Sequence, residues 1–440
     1  MLLNTFKGGI HPFPEKKITS GKGFSNLSVP HICNIPLKQH IGNPAYPIVN
    51  VGDLIQEGQL IGKADGLLSA NVHSSVPGKV ISITEQQIFS QGKCKCIMIE
   101  SDGRFNTSGK KREKTAWQDL KKESLIERIR EAGIVGMGGE AFPTSVKLSS
   151  HKSKKTEYLL INGAESEPYL TADEMLIKVY PEEIIEGIKI VLKILGINNA
   201  FFGIENNKPE AVQALKDILD KNSAKENIKI VLLKTKYPQG SERQLISSIL
   251  KMEIPSGKQP ADSGIVVLNA ATVFAIRDAC VFGKPLFERF VTVTGKIINK
   301  PGNYKLRIGT RICDIIEECG GCKEEPAKII MGGPMRGFSV SGYDMPVLKG
   351  TTGIVFLSKA EVHRESYGPC IRCGRCTAAC PSRLVPGDLG QAALKSRFDL
   401  LEKQNIFDCI KCGSCSFVCP AKRPISSLIK TAQETIQSNN

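Results

Sequence analysis

Residues 370–381 read CIRCGRCTAACP and residues 409–420 read CIKCGSCSFVCP. Each run repeats Cys-x2-Cys-x2-Cys-x3-Cys-Pro, through Cys370, Cys373, Cys376 and Cys380 in the first and Cys409, Cys412, Cys415 and Cys419 in the second. Cysteines this closely spaced let one short loop wrap a cuboidal metal centre. Gly374 and Gly413 relieve crowding in that loop and leave backbone N–H groups free to approach sulfur. Pro381 and Pro420 turn the chain away after the fourth cysteine. These eight belong to a total of 15 cysteines in 440 residues. In a large chain whose opening residues, MLLNTFKGGIHPFPEKK, lead into no apolar signal stretch, such crowding favours metal ligation over disulfides. Zinc competes, because thiolates bind it as well. The duplicated three-cysteine run with a distant fourth cysteine favours iron–sulfur chemistry.

The segment joining the runs, GDLGQAALKSRFDLLEKQNIFD, is apolar at helical spacing around Leu389, Ala393, Leu394 and Leu400. ISSLIKTAQETIQ, after Cys419, reads as a terminal helix. The module therefore resembles an α-helical two-cluster ferredoxin. In that family the first three cysteines of each run hold one cluster and the fourth holds the other. The resemblance implies one [4Fe–4S] cluster on Cys370, Cys373, Cys376 and Cys419, and a second on Cys409, Cys412, Cys415 and Cys380. Crossed ligation of this kind keeps two clusters close enough for rapid electron exchange.

The remaining cysteines carry less. Cys313, Cys319 and Cys322 sit in a helix followed by a Gly-Gly turn, with no fourth ligand at an evident spacing, and Cys33, Cys94, Cys96 and Cys280 read as small buried hydrophobes. The formal charge is +15. It suits an acidic protein partner, an anionic membrane surface or simply a solvated lysine-rich face. No recognition helix, zinc-finger spacing or aromatic-basic motif accompanies it, so nucleic acid is not expected as a partner. No stretch approaches the apolar length needed to cross a bilayer, and the chain is expected on the cytosolic side.

Working toward the amino terminus, residues 41–83 alternate short apolar runs with VGD, EGQ, ADG and VPGKV turns, a β pattern. The stretch resembles the barrel-sandwich hybrid of biotinyl and lipoyl carriers. It offers His73–Ser74–Ser75 where those carriers present a modified lysine, which implies a scaffold or docking module. Residues 104–119 are polar and basic and read as a linker, with Trp117 as a local packing anchor.

From residue 120 the pattern changes. An amphipathic helix leads into IVGMGGEAFPTSVK, and three strand-like runs, TEYLLING, AFFGIE and IKIVLLK, alternate with helical ones. That alternation predicts an α/β domain with largely parallel strands. The glycines at 133, 136, 138 and 139 do not keep the Rossmann spacing, and they follow a helix rather than a strand. Two readings stay open: a phosphate or ribityl cradle with Lys147 supplying charge, or a tightly packed turn. Glu165 and Glu167 follow the strand that ends near Asn162, where α/β sheets present ligand-binding residues. A solvated turn fits them equally well.

Here the whole arrangement resembles known proteins. GMGGEAFPTSVK is similar to the flavin loop, GRGGAGFPTGxKW, of the NADH-binding flavoprotein of respiratory complex I. NGAESEPY resembles its NADESEPG, PQGSERQLI its CGEETALI, and SGIVVLNAATVFAI its INNVETL segment. The fuller resemblance, over essentially the whole chain, is to the RnfC/RsxC family, the C subunits of the Rnf and Rsx electron-transport complexes. FKGGIHPFPEKK, MGGPMRG at 331–337 and the paired cysteine runs carry it, together with residues 291–321, which resemble an SLBB module.

This resemblance implies a multidomain α/β chain with an N-terminal barrel-sandwich hybrid (1–103), a linker (104–119), a complex I flavoprotein-like core (120–285), an SLBB β-grasp-like module (286–359) and a two-cluster ferredoxin-like module (360–440). It implies FMN and NAD(H) beside the clusters, with Gly136, Gly138, Gly139 and Lys147 around the flavin phosphate or ribityl chain. Glu165 and Glu167 would lie near flavin and nicotinamide, and Glu242, Asn269 and Thr272 would complete the site. It further implies a peripheral subunit of an ion-translocating ferredoxin:NAD oxidoreductase, with ferredoxin and membrane subunits as partners. A cobalamin reductase is an alternative, although its β module is expected at the other end of the chain. An electron relay without NAD chemistry and a docking protein with structural clusters are two more. The sequence departs from complex I in having no arginine in the glycine loop, Ser241 for the first glutamate of GEE, and Leu268 for an asparagine. Tyr169 replaces a glycine, and its ring is expected to crowd or stack at the flavin site.

Overall fold

The computed structural model describes residues 3–88, 92–103, 113–149, 155–221, 227–362 and 366–439. The expected linker lies outside the described residues over 104–112. Its remainder holds Trp117, which is buried and donates from Nε1 to Glu186 at 3.1 Å.

Four parallel strands make the central sheet, in the order Asn227–Leu233, Asn199–Glu205, Tyr158–Gly163 and Ile265–Asn269. Their β-branched and aromatic residues face helices that bury complementary stripes. The helix Pro181–Leu195 shows this most fully, with Ile184, Ile188, Val191 and Leu195 all buried. Pro181 opens it and Gly196, at φ 68, ends it. The strand order reverses between Tyr158–Gly163 and Ile265–Asn269. The first strand continues outward on one side, while the chain returns on the other much later. A crevice at the carboxyl end of such a reversal is where sheets of this kind bind ligands.

The amino-terminal module stacks a four-stranded sheet (Ile32–Pro36, Gly92–Ser101, Gly78–Ile88, Leu54–Ile55) against a three-stranded one (Tyr46–Pro47, Leu60–Lys63, Val72–His73). Cys33, Ile35, Ile61, Val72, Ile97 and Ile99 fill the space between. The His73–Ser75 turn is buried, and Ser75 donates to the Ile308 carbonyl at 2.5 Å. It therefore docks on the next module instead of projecting into solvent.

That next module is a six-stranded sheet, ordered Phe24–Asn26, Gly302–Arg307, Glu288–Thr294, Gly353–Leu357, Lys328–Met331 and Phe338–Val340. Its edge strand comes from the start of the chain, because Phe24–Asn26 pairs in parallel with residues 303–305. Residues 4–10 also reach away from the barrel. Asn4 bridges Leu233, Ile10 bridges Tyr237, and the Gly9 N–H bonds the Ala379 carbonyl at 2.9 Å.

The last module is helical. Pro386–Leu394, Phe398–Lys403 and Ile425–Asn439 pack around Leu389, Leu401, Ile406, Ile425 and Ile429. The expected apolar stripe breaks at Ser396, whose φ is 50. That kink ends one helix and resets the phase of the next, so Leu394 is exposed and Leu401 takes the core position expected of Leu400.

Candidate flavin and cluster sites

The carboxyl ends of the two strands at the reversal carry Asn162 and Asn269, which are register partners. Asn269 caps the helix Ala270–Phe282 by accepting from the Ala271 N–H at 2.9 Å. Its amide donates to Asp173 at 2.6 Å. Thr272, in the first turn of that helix, accepts from the Met137 N–H at 2.9 Å and so pins the glycine loop over the crevice. Asn162 donates to the Gly240 carbonyl at 2.7 Å, and the Gly240 N–H bonds Ser166 at 3.1 Å. The loops at 136–141, 164–167, 240–242 and 269–272 are thus laced together around one edge of the sheet.

Within that edge the residues expected from sequence fare differently. Gly138, Gly139 and Glu140 are exposed. Gly139 has φ 107 and open space where a side chain would stand, which leaves bare backbone facing outward. Lys147 is held by Glu242 at 2.7 Å. Glu165 accepts from the Asp173 and Glu174 N–H groups, at 2.7 and 3.2 Å, and caps the helix Ala172–Val179. Burial and the Glu165 charge together push the Asp173 carboxyl upward. Glu167 turns away to accept from the Met335 N–H at 3.0 Å, and burial raises its pKa. Tyr169 neither crowds nor stacks over the crevice. With φ 69 it points to the sheet module, packs with Ile330 and Val355, and donates to Glu361 at 2.9 Å.

The glycine loop also has two arginine neighbours from elsewhere in the chain. Arg289 is fully buried and donates to the Met137 carbonyl at 3.1 Å, while its Nη1 has no hydrogen-bond partner among the described residues. Arg336 pairs with Glu140 at 3.3 Å. Their sequence distance from the loop hid them. Bare backbone at Gly138 and Gly139 and an unpaired guanidinium nitrogen fit an anionic, hydroxyl-rich cofactor such as FMN.

At the other site, Cys380, Cys409, Cys412 and Cys415 line one cavity, walled by Leu384, Leu389 and Ile429. Burial raises the Cys415 thiol to about 12, with Cys412 and Cys409 adding to the effect. Such mutual repulsion is relieved when a cationic centre holds thiolates together. The cavity and its donor set fit a [4Fe–4S] cluster. The other four form a more outward set, although Cys376 and Cys419 still pack against the helical core. Cys370 and Cys373 are exposed, and Cys376 and Cys419 are half-buried. The Gly368 N–H bonds the Ala421 carbonyl at 3.0 Å, which brings the start of the first run beside the end of the second.

Elsewhere, Cys33, Cys94, Cys96 and Cys280 are buried, and Cys319 lies in the core of the six-stranded module with Cys322 packed against it. Among the described residues no helix is long and apolar enough to cross a membrane.

A flavin-type α/β core joined to a dicluster helical module defines a redox protein that couples two kinds of electron carrier. Comparison with known families agrees module by module. Residues 4–104 match the RnfC barrel sandwich hybrid domain, 129–278 the Nuo51 FMN-binding domain, 290–339 the SLBB domain and 369–423 the 4Fe-4S dicluster domain. Over 430 residues the chain is 45% identical to the C subunit of the proton-translocating ferredoxin:NAD(+) oxidoreductase complex of Clostridium ljungdahlii, covering 98% of this chain and 93% of that one. It is 41% identical to the Na(+)-translocating counterpart of Acetobacterium woodii, covering 98% and 97%. Among solved structures, an NAD+-reducing [NiFe]-hydrogenase in the air-oxidized state shares the fold, with a TM-score of 0.52 at 17% identity, over 66% of this chain and 55% of that one. The chain belongs to the RnfC family, the C subunits of ion-translocating ferredoxin:NAD(+) oxidoreductase complexes.

Proposed function

We propose that this chain is the peripheral electron-input subunit of such a complex, on the cytoplasmic side of the membrane. In this reading it passes electrons between NAD(H), FMN and two [4Fe–4S] clusters, with ferredoxin and membrane subunits as partners. The observation that carries the reading is the pairing, in one chain, of a laced crevice at the sheet reversal with a cavity walled by four cysteines. FMN, when bound, exchanges a hydride on one side and single electrons on the other.

The chain's own residues supply position and charge. The backbone of Gly138 and Gly139 and the guanidinium of Arg289 would face the flavin's phosphate and ribityl oxygens. Asn269 and Thr272 hold the glycine loop and helix terminus at a fixed spacing through the bonds described above. Glu165, by capping the helix Ala172–Val179, holds Asp173 at the crevice beside Asn269. Glu242 keeps the Lys147 ammonium at the loop's far side. Cys409, Cys412, Cys415 and Cys380 would hold the enclosed cluster, and Cys370, Cys373, Cys376 and Cys419 the outward one.

The turn of Glu167 toward Met335, away from the crevice, favours a second reading, a relay in which the chain alone has no NAD chemistry. Anaerobic titration of the reconstituted full chain with NADH, followed by absorbance, separates them. Flavin bleaching followed by cluster reduction is the expected result. Bound flavin that stays oxidised with NADH, while dithionite reduces the clusters, supports the relay instead.

A further inference from the structure

The identical spacing of the two cysteine runs makes the two candidate clusters formally equivalent, but their surroundings are not. Three separate parts of the chain converge on the enclosed set, and in the contacts described here none of the three touches a cysteine of the outward set. The first is Tyr237, which is 2% exposed and donates from its hydroxyl to the Cys412 carbonyl at 2.7 Å. The same hydroxyl lies 3.4 Å from Glu167 Oε1, so one phenol spans the flavin-type core and a cluster loop. The second is the MGGPMRG loop. Its Met335 N–H donates to Glu167 at 3.0 Å, and the Met335 side chain packs in one apolar group with Ile10, Tyr237, Ala379 and Cys412. The next residue, Arg336, reaches back to Glu140 of the glycine loop at 3.3 Å. The third is the segment around Gly9 and Ile10, bonded to Ala379 on one side and Tyr237 on the other.

We propose that Glu167, Tyr237 and the Met331–Gly337 loop are positioning residues that seat the enclosed cluster against the flavin-binding core. This makes the cluster of Cys380, Cys409, Cys412 and Cys415 the flavin's electron partner and leaves the outward cluster to face other proteins. The inference rests on the flavin and cluster reading given above. In the step concerned a single electron would pass between the flavin and the enclosed cluster, one being oxidised as the other is reduced, and any proton lost or gained at the flavin would be exchanged with solvent. Tyr237 sets the step in two ways. Its buried hydroxyl fixes the Cys412 loop at one distance from Glu167, and its O–H dipole, aimed at the carbonyl of a ligand residue, stabilises the reduced, more negative cluster.

The test is an EPR-monitored dithionite titration of the reconstituted full-length chain, with iron content measured on the same samples. A Cys412→Ser variant identifies the enclosed cluster as the signal it alters. Tyr237→Phe, which keeps the ring and removes the hydroxyl, is expected to lower the midpoint of that signal alone. The expected change in the one-electron equilibrium is a few-fold to about tenfold, the latter being about 59 mV. Glu167→Gln retains an acceptor for the Met335 N–H and removes a negative charge, so it is expected to move the same signal the other way. It also serves if Tyr237→Phe fails to load iron. The proposal is overturned if neither variant moves the enclosed cluster, or if the shift falls on the outward one. A wild-type chain that takes up iron for fewer than two clusters, or shows one signal, sinks the cluster reading itself.

Discussion

Glu288 shows how a single side chain can bind two modules. It opens the strand Glu288–Thr294 and meets Lys284 from the end of the flavin-type core, Lys305 at 2.9 Å and Arg307 at 3.7 Å. Burial opposes its ionisation, but Lys284 and Lys305 outweigh burial and hold the carboxyl at about 2. A carboxylate whose pKa is lower folded than unfolded adds stability above its ordinary range, near 4.5, and loses it as pH falls toward 2. Glu288→Gln is therefore expected to cost about 2–4 kcal/mol near neutral pH. That cost should fade as the medium is taken down to about pH 2. Urea denaturation across this range measures it, and a cost independent of pH contradicts the assignment. Arg289, the next residue, belongs to the same junction. Its guanidinium crosses to the glycine loop, which lacks an arginine of its own, and the charge that the loop sequence omits is delivered from the neighbouring module.

At the scale of elements, the parts written in short periods were legible. The alternation of three strand-like runs with helices from Tyr158 onward predicted largely parallel strands, and the sheet, with Ile265–Asn269 as a fourth strand, is wholly parallel. The barrel's turns and the two cysteine runs were equally plain, because their signals lie within a few residues of one another. What escaped depends on partners far along the chain. Nothing near Glu167 announces that its acceptor is filled by Met335, 168 residues later, and the same holds for Tyr169 and Glu361. The Leu394 and Leu401 positions were missed for a local reason, since a left-handed serine between two helices leaves no mark on hydrophobic spacing. The MGGPMRG loop illustrates how tightly such distant pairs fit. A side chain at Gly333 would collide with the Glu167 carboxylate. Gly333→Ala is expected to lower unfolding free energy by about 1–3 kcal/mol, because the new methyl would meet the Glu167 Cβ at 2.6 Å as well as its carboxylate. Chemical denaturation reads this directly, and an unchanged midpoint would show that the loop does not depend on that contact.

For the whole molecule, exposure separates the two cysteine sets. The enclosed cysteines lie toward the core and the exposed pair, Cys370 and Cys373, toward solvent, beside Ile371 and Arg372, which are also exposed. With a formal charge of +15 on the chain, transfer to an acidic redox partner should depend on long-range attraction. Stopped-flow rates with an acidic ferredoxin are expected to fall at least several-fold between low salt and about 0.5 M, as screening shortens the reach of charge. Rates insensitive to salt would argue for a neutral, apolar contact.

The reach of residues 4–26 bears on how the chain is made. Domains generally fold in turn as they emerge from the ribosome. These residues emerge early, yet they bond with Leu233, Tyr237, the strand Gly302–Arg307 and Ala379. Their partners emerge in turn, Leu233 and Tyr237 first, the strand Gly302–Arg307 next and Ala379 last, so the clasp is complete only once most of the first cysteine run has been synthesised. A ribosome stalled before that point carries a leading segment whose last contact, the bond of Gly9 to Ala379, has yet to form. Assembly of the electron route is in this sense deferred until the chain that will carry the metal is present.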